Sequence, residues 1–484
     1  MGKYAVPERI RAMKPKGTMV KAISGNYYVY EYRSVTVDGR RRTEMGRCIG
    51  SIKEGVGFVP NDGRARDGEV TTLEFGQYAL ALASSGGVLG LLREHFDPQD
   101  AAQVYALAVV NCVNGMQPAK DAGRHFAMSA LSLRFPSLKM GPDALATLLD
   151  ALGRRQGPAM SFEAALCASS GPEVAVDGHA MPLSSRLNDL AEPGCKRGRL
   201  GSDQVNLLMA YDVEGGRPLL SRFYEGAVLE KSGVRDLLSR AELAGRMFVV
   251  DAGFYSGANL EALSSNGCSY IIPLHRRLLA CREAVADPEV DGRFVYRRDR
   301  RASAVEYRDA RRRGARVVLF RDLNRQALEQ AGYLAALERG AKGYTAERFE
   351  EVKDLMGVIV LQTSREDLSA QEVYEAYKRR WSVGTFFDWL KNGAGFASPG
   401  AQGYCRAQGL AFVALVTALV HRDLADACRA VKGKSVDDCL LEARMVKANK
   451  VGGRWVCCNL TSRQERLFAA LKAPLSVDAL LQHT

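Results

Sequence analysis

The sequence predicts an α/β protein with a β-rich insertion, a small N-terminal β-sheet and a helical region. Three observations predict it. Strand-like apolar runs follow one another closely between residues 173 and 224. Two apolar runs, Val174-Ala-Val176 and Phe248-Val-Val250, each end in an aspartate, Asp177 and Asp251, with helix-period segments after the second. An arginine-dense, alternating segment then separates the last of these strands from a basic, aromatic helix around Tyr377–Lys391.

The 484 residues are enough for two to four domains, and 47% apolar with 25% charged residues is an ordinary globular composition. A net charge of +12 points to a polyanionic partner, most simply nucleic acid. The stretch MGKYAVPERIRAMKPKG contains no apolar core of a secretory signal, and Leu410–Val420 is too short to span a bilayer. A cytoplasmic protein without a membrane partner is therefore expected. Eleven cysteines are scattered, with Cys457-Cys458 the one adjacent pair and no CxxC pairing. This speaks against a zinc site, six unrelated histidines speak against a histidine-built centre, and reduced thiols are expected.

Taken in order, residues 1–70 read as a basic β-sheet region. Asn26–Arg33, Val37–Arg42 and Glu44–Gly50 alternate in strand fashion, and Asp38-Gly39 is a hairpin signal. Residues 1–55 hold twelve Lys or Arg against five Asp or Glu. Arg40, Arg41 and Arg42 sit near the hairpin tip, either solvated or laid on DNA. Residues 71–170 read as helical and as a possible DNA-binding region.

Residues 171–275 give strands at 173–179, 204–213 and 217–224, a helix-like run 229–243, a strand from Met247, a helix 259–264 and a strand 268–273. Three strands, helix, strand, helix, strand is the order of a ribonuclease H-like core, to which residues 357–430 return. Residues 276–356 form the basic insertion, with fourteen arginines between 276 and 321. Arg297, Arg298, Arg300 and Arg301 are its best candidates for DNA-backbone contact, through the salt-dependent energy such contacts deliver. Residues 431–484 read as a C-terminal helical region. Ser369-Ala-Gln-Glu372 gives the focal helix a capping box, and Trp381 and Trp389 are expected in the core.

A lone strand-end aspartate is commonly a cap or turn former. Two of them on neighbouring strands instead suit a hard cation, because Mg²⁺ needs only one or two carboxylates with water and substrate phosphate. Paired ions of this kind activate a water or 3′-hydroxyl and stabilise the leaving oxygen of a phosphoryl displacement.

Val176-Asp-Gly-His179 with Ser184, Ser185 and Asn188, then Val250-Asp-Ala-Gly-Phe-Tyr-Ser256, then Tyr377, Arg380-Trp381, Phe387 and Leu390-Lys391 together resemble the DDE transposases. The resemblance is to the IS4 superfamily and especially to its IS1634-type branch, and it covers most of the chain. It implies a ribonuclease H-like catalytic domain, Mg²⁺ or Mn²⁺, and cut-and-paste chemistry. The implied partner is double-stranded DNA, both terminal inverted repeats and target, with a homodimer on paired ends of the mobile element. Asp177 and Asp251 match the first two catalytic carboxylates and would hold the metal.

The third motif of the family is Tyr, two residues, Arg, three residues, Glu, six residues, Lys. Tyr377, Arg380 and Lys391 match it and would contact DNA, but the Glu position is Gly384. Glycine offers no side-chain ligand and weakens a helix interior by roughly 1 kcal/mol relative to Ala. Asp388, one turn on and about 6 Å further along the same face, is the candidate substitute, although shorter than Glu. His179 and Ala252 also depart from the pattern, the first as an extra ligand or a space filler, the second by removing a phosphate contact. The alternative expectation is a catalytically degenerate, transposase-derived DNA-binding protein.

Overall fold

A computed structural model describes residues 6–23, 25–37, 40–60, 71–182, 192–193, 203–225, 233, 235–238, 243–298, 301–396, 403–458 and 460–482. The chain divides into two compact units, Met1–Thr72 with Asn449–Val456, and Leu73–Ala448 with Cys457–Thr484.

In the smaller unit, β1 (Thr18–Ile23), β2 (Asn26–Val37), β3 (Arg40–Lys53) and β4 (Gly57–Pro60) form an antiparallel meander. Val37 pairs with Arg40, so the two residues between the strands are the Asp38-Gly39 of the hairpin signal. Asp38, Gly39 and the side chains of Arg40, Arg41 and Arg42 lie outside the described residues. Ile10, Val29 and Ile52 are buried together, with Val20, Tyr27 and Phe58 packed on them.

The larger unit begins with helices, including Gly76–Ser84, Gly86–His95, Pro98–Asn114, Pro142–Arg154 and Gln156–Ala168. Pro98 and Pro142 each stand at a helix start, where the ring's fixed φ suits the first turn and no hydrogen bond is lost. Pro142–Arg154 lies against the long helix Tyr404–Cys428 almost backbone to backbone. A Cβ on Gly409 would come within 2.1 Å of the Leu149 carbonyl oxygen, so a side chain there is excluded.

The sheet holds β5 (Glu173–Pro182), β6 (Asp203–Asp212) and β7 (Arg217–Glu225) as antiparallel neighbours. Next, β8 (Met247–Val250) runs parallel to β5, and β9 (Ser269–Pro273) runs parallel to β8. The spatial order β7-β6-β5-β8-β9 is that of a ribonuclease H-like core, as the chain order of strands and helices predicts. The basic segment supplies β10 (Gly292–Arg298), β11 (Arg301–Arg312) and β12 (Ala315–Asp322), followed by β13 (Val358–Thr363). β13 pairs with both β9 and β12, so these strands extend the core sheet and do not fold as a separate one.

One expectation changes. The C-terminal stretch, read as helical, also contains β14 (Lys447–Val451) and β15 (Arg454–Cys457), joined at Gly452-Gly453 with both φ positive. Of the helix-like run 229–243, only residues 233, 235–238 and 243 are described. Among the described residues no helix is long and apolar enough to cross a membrane.

Strand alternation sorts the core residues onto two faces. On one face Ala175, Leu207, Met209 and Phe223 pack with Val383, Phe387, Leu390 and Ala411. Met247, Val249 and Ile271 on that face pack with Val373, Tyr374 and Ala376. The opposite face carries Arg222, whose guanidinium donates two 2.6 Å bonds to the Glu163 carboxylate of helix Gln156–Ala168. Both side chains are almost fully buried. Removing one partner of such a pair leaves the other charge stranded in the interior. Glu163→Ala is expected to cost about 3–5 kcal/mol in urea unfolding.

Candidate metal and DNA site

Asp177 and Asp251 each stand one residue beyond the last register pair of β5 and β8, Val176 with Val250. Adjacent strands lie roughly 4.8 Å apart, and register-paired positions point the same way. The two aspartates are therefore side by side. Period-two alternation from Ala175 and Val249 puts both on the face covered by the helices of residues 370–393. The location is also where the strand order reverses, beyond the carboxyl end of β8, the place at which open α/β sheets offer a crevice.

Each carboxylate is oriented locally. Asp177 Oδ1 accepts from Gly178 N at 3.0 Å, and Asp251 Oδ1 accepts from Ala252 N at 2.7 Å. Asp251 is exposed at the start of the short 3₁₀ turn Ala252–Phe254. The other residues of the first motif, Ser184, Ser185 and Asn188, lie outside the described residues.

The third motif folds as the sequence indicates at its start and differently at its end. Ser369 and Glu372 make the reciprocal capping box of helix Ala370–Arg379. The chain turns at Arg380 and continues as helix Trp381–Asp388, then widens into a π-turn at Trp389–Gly393, closed by Ala394 N donating to Trp389 O at 2.7 Å. Lys391 thus occupies a wider turn than uniform α-helical spacing assumes, a placement often seen at functional sites.

Tyr377, Arg380, Gly384 and Asp388 follow one another at helical spacing, on a stripe beside the apolar one that meets the sheet. The Arg380 guanidinium lies over the Tyr377 ring, 5.6 Å from its centre. Burial raises the Tyr377 phenol, Arg380 opposes this, and the Asp251 carboxylate is close enough to add to the rise. The second aspartate thus lies within electrostatic reach of Tyr377.

Gly384 is exposed, and a Cβ built there meets nothing within 4 Å. Its helix packs on β5 through Val383 and Phe387, with His179 as a neighbour of the Phe387 ring at 6.3 Å. Asp388 is exposed and sits 3.4 Å from Asn392 Nδ2. Among the described residues no three His, Cys, Asp or Glu side chains converge into a metal-holding group.

The arginines divide. Arg293, Arg308, Arg311, Arg312, Arg313, Arg316 and Arg321 are all paired with carboxylates of Asp287, Asp291, Asp309, Glu283, Glu306 or Glu366. These seven knit the extension of the sheet together through ion pairs. Arg297, Arg298 and Arg301 are exposed at the β10–β11 turn, while Arg300 lies outside the described residues.

Sequence reasoning misplaced one tryptophan. Trp381 is 63% exposed, with the Arg298 guanidinium 5.2 Å from its ring centre, so it is not a core residue. Trp389 does pack inward and stacks on His421 at 3.8 Å. Burial pushes the His421 imidazole down to about 4. The fold favours the neutral ring. Its contribution to stability is therefore full above the unfolded value near 6.5 and is lost as the pH falls towards 4. Because the ring is only partly buried, the expected loss is about 2–3 kcal/mol in denaturation measured from pH 7 to 4. His421→Phe should flatten that part of the profile.

No curated protein matches the chain. A solved piggyBac transposase synaptic complex with hairpin DNA is similar at a TM-score of 0.41 and 10% identity, over 86% of each chain. The family described as Transposase DDE domain matches residues 168–417, just over half the chain and all of β5 to β13 with the third-motif helices. The chain belongs to the DDE-domain transposase family.

Proposed function

We propose that this protein is a transposase of the IS4 superfamily, IS1634-like branch, acting by cut-and-paste transposition in the bacterial cytoplasm. It binds terminal inverted repeats as a homodimer on paired ends. The observation that carries this reading is the placement of Asp177 and Asp251 side by side, facing the helix of Tyr377 and Arg380. Two neighbouring carboxylates fit Mg²⁺ or Mn²⁺, which completes its oxygen shell with water and substrate phosphate. A bound ion would supply electrophilic stabilisation of charge on the phosphate oxygens.

The chain's own residues do the rest. Asp177 and Asp251 would hold the ion at the end of the β5–β8 pairing. Tyr377 and Arg380 fix a phosphate of the element end beside Asp251, and Lys391 holds the next. Arg297, Arg298, Arg300 and Arg301 track the DNA backbone.

Gly384 favours a second reading, a transposase-derived protein that binds inverted repeats without cutting them. A third carboxylate would then have to come from Asp388 or be absent. Labelled inverted-repeat DNA with Mg²⁺ or Mn²⁺ separates the readings. Strand cleavage supports the enzyme, and specific binding without cleavage supports the second.

A further inference from the structure

Of the fourteen arginines between residues 276 and 321, seven are paired with carboxylates and four belong to the β10–β11 turn. Arg276, Arg277 and Arg282 are the remaining three, and all of them are exposed. No ion pair engages any of them among the described residues. Arg282 lies in helix Leu279–Ala286, whose Cys281 and Ala284 pack on the sheet face opposite the third-motif helices. Arg276 and Arg277 stand elsewhere, beside the carboxylates.

Strand register places them there. β9 runs parallel to β8 with Val249 beside Ile271, so continuing the register sets Asp251 abreast of Pro273. The chain leaves the sheet at that same end through Leu274 and His275. A tight turn follows, in which the His275 carbonyl accepts from Leu278 N at 2.9 Å and His275 Nδ1 accepts from Arg277 N at 3.4 Å. The turn keeps both arginines at the strand end, one strand spacing of roughly 4.8 Å over from Asp251 and on the side away from Asp177. A second route leads to the same place. Arg325 lies within electrostatic reach of the Tyr377 phenol and pairs with Glu329 at 2.6 Å, and Arg276 lies within reach of that same Glu329. The Glu329 carboxylate is already bonded to Arg325 and, at 2.8 Å, to Gly357 N.

We infer that Arg276 and Arg277 form a further phosphate seat, holding the DNA backbone on the β9 side of Asp251. Arg276 donates to the Leu355 carbonyl at 3.2 Å, which steadies the guanidinium and leaves its other N–H groups to an anion. Arg277 keeps its whole fork for one. A guanidinium fork takes two oxygens of a single phosphate, and such contacts fix where a strand lies without reading its sequence. The strand is then held both from the third-motif helix and from the end of β9. The ligand is a phosphodiester backbone, belonging to the flank of the element end or to target DNA. The assignment rests on the transposase reading for that ligand.

Salt dependence of DNA binding tests it, because each phosphate contact on B-DNA contributes about 0.9 to the slope of log K against log salt. The full chain would be titrated by fluorescence anisotropy across a salt series with inverted-repeat duplex that carries donor flank. Once saturated with that duplex, it would be titrated with labelled duplex that lacks the repeat. Arg276→Gln and Arg277→Gln should each lower the slope magnitude by about 1, and Arg277→Lys should retain it because the charge is kept. A fall with the first duplex assigns the phosphates to the element end, and a fall confined to the second assigns them to target DNA. Unchanged slopes on both duplexes in both Gln variants, with melting temperature preserved, overturn the inference. So does an equal fall in Arg466→Gln, an exposed arginine of helix Ser462–Ala470. An unaltered protein that binds neither duplex defeats the transposase reading and this seat with it. Unchanged slopes with binding intact count against the seat alone.

Discussion

Asp251→Asn is expected to lower metal-dependent strand cleavage by about 10³-fold or more, because an ion's electrophilic stabilisation is worth several kcal/mol and each 1.36 kcal/mol is tenfold in rate. The fold should survive. Asp251 is exposed, and an asparagine oxygen can still accept from Ala252 N, so the change in stability should stay within about 0.5 kcal/mol. DNA affinity should hold or rise, since a negative charge beside phosphate is removed. Asp177→Asn should behave alike. Combining the two should cost little more than either alone, because residues that share one ion act as a unit. Gel analysis of labelled inverted-repeat DNA, with melting curves for each variant, checks all of this. Residual cleavage in Asp251→Asn near the wild-type rate would detach the carboxylate from the chemistry.

Gly384→Glu is expected to raise cleavage by about tenfold or more, if a third carboxylate restores part of the lost stabilisation. Space allows it, since nothing lies within 4 Å of a Cβ at this position. The helix favours it as well: replacing an interior glycine with a good helix former should add about 0.5–1 kcal/mol to stability. The gain in stability and the gain in activity are separable readouts. A more stable protein that cuts no faster would show that position 384 does not face the ion. Asp388→Asn adds the complementary arm. If Asp388 already fills the third place, that change should abolish wild-type cleavage and become silent beside Gly384→Glu.

Much of this arrangement was legible in the sequence because it depends on local signals. Apolar runs ending in Asp177 and Asp251 gave two of the core strands. The Ser369–Glu372 capping box gave the helix start, and Asp38-Gly39 gave the hairpin register. What escaped depends on contacts between distant residues. Arginine density between 276 and 321 looked like a DNA surface, but whether an arginine faces a carboxylate is decided by strand register. Asp291 reaches Arg308 only once β10 and β11 are paired, and Asp309 reaches Arg316 only once β11 and β12 are paired. Trp381 looked like core because tryptophan usually is, yet it stands outside the stripe of Val383, Phe387 and Leu390 that meets the sheet. The π-turn at Trp389–Gly393 has no compositional signature either. It follows from packing Leu390 inward and bonding Ala394 N back to Trp389 O, and it alters where Lys391 points.

Mn²⁺ binding to the protein on inverted-repeat DNA, followed by electron paramagnetic resonance, addresses the pair of aspartates most directly. The wild-type complex should take up Mn²⁺, and Asp177→Asn and Asp251→Asn should each weaken that uptake by at least about tenfold, as expected for loss of a direct ligand. Equal Mn²⁺ affinity in the wild type and both variants would contradict the account.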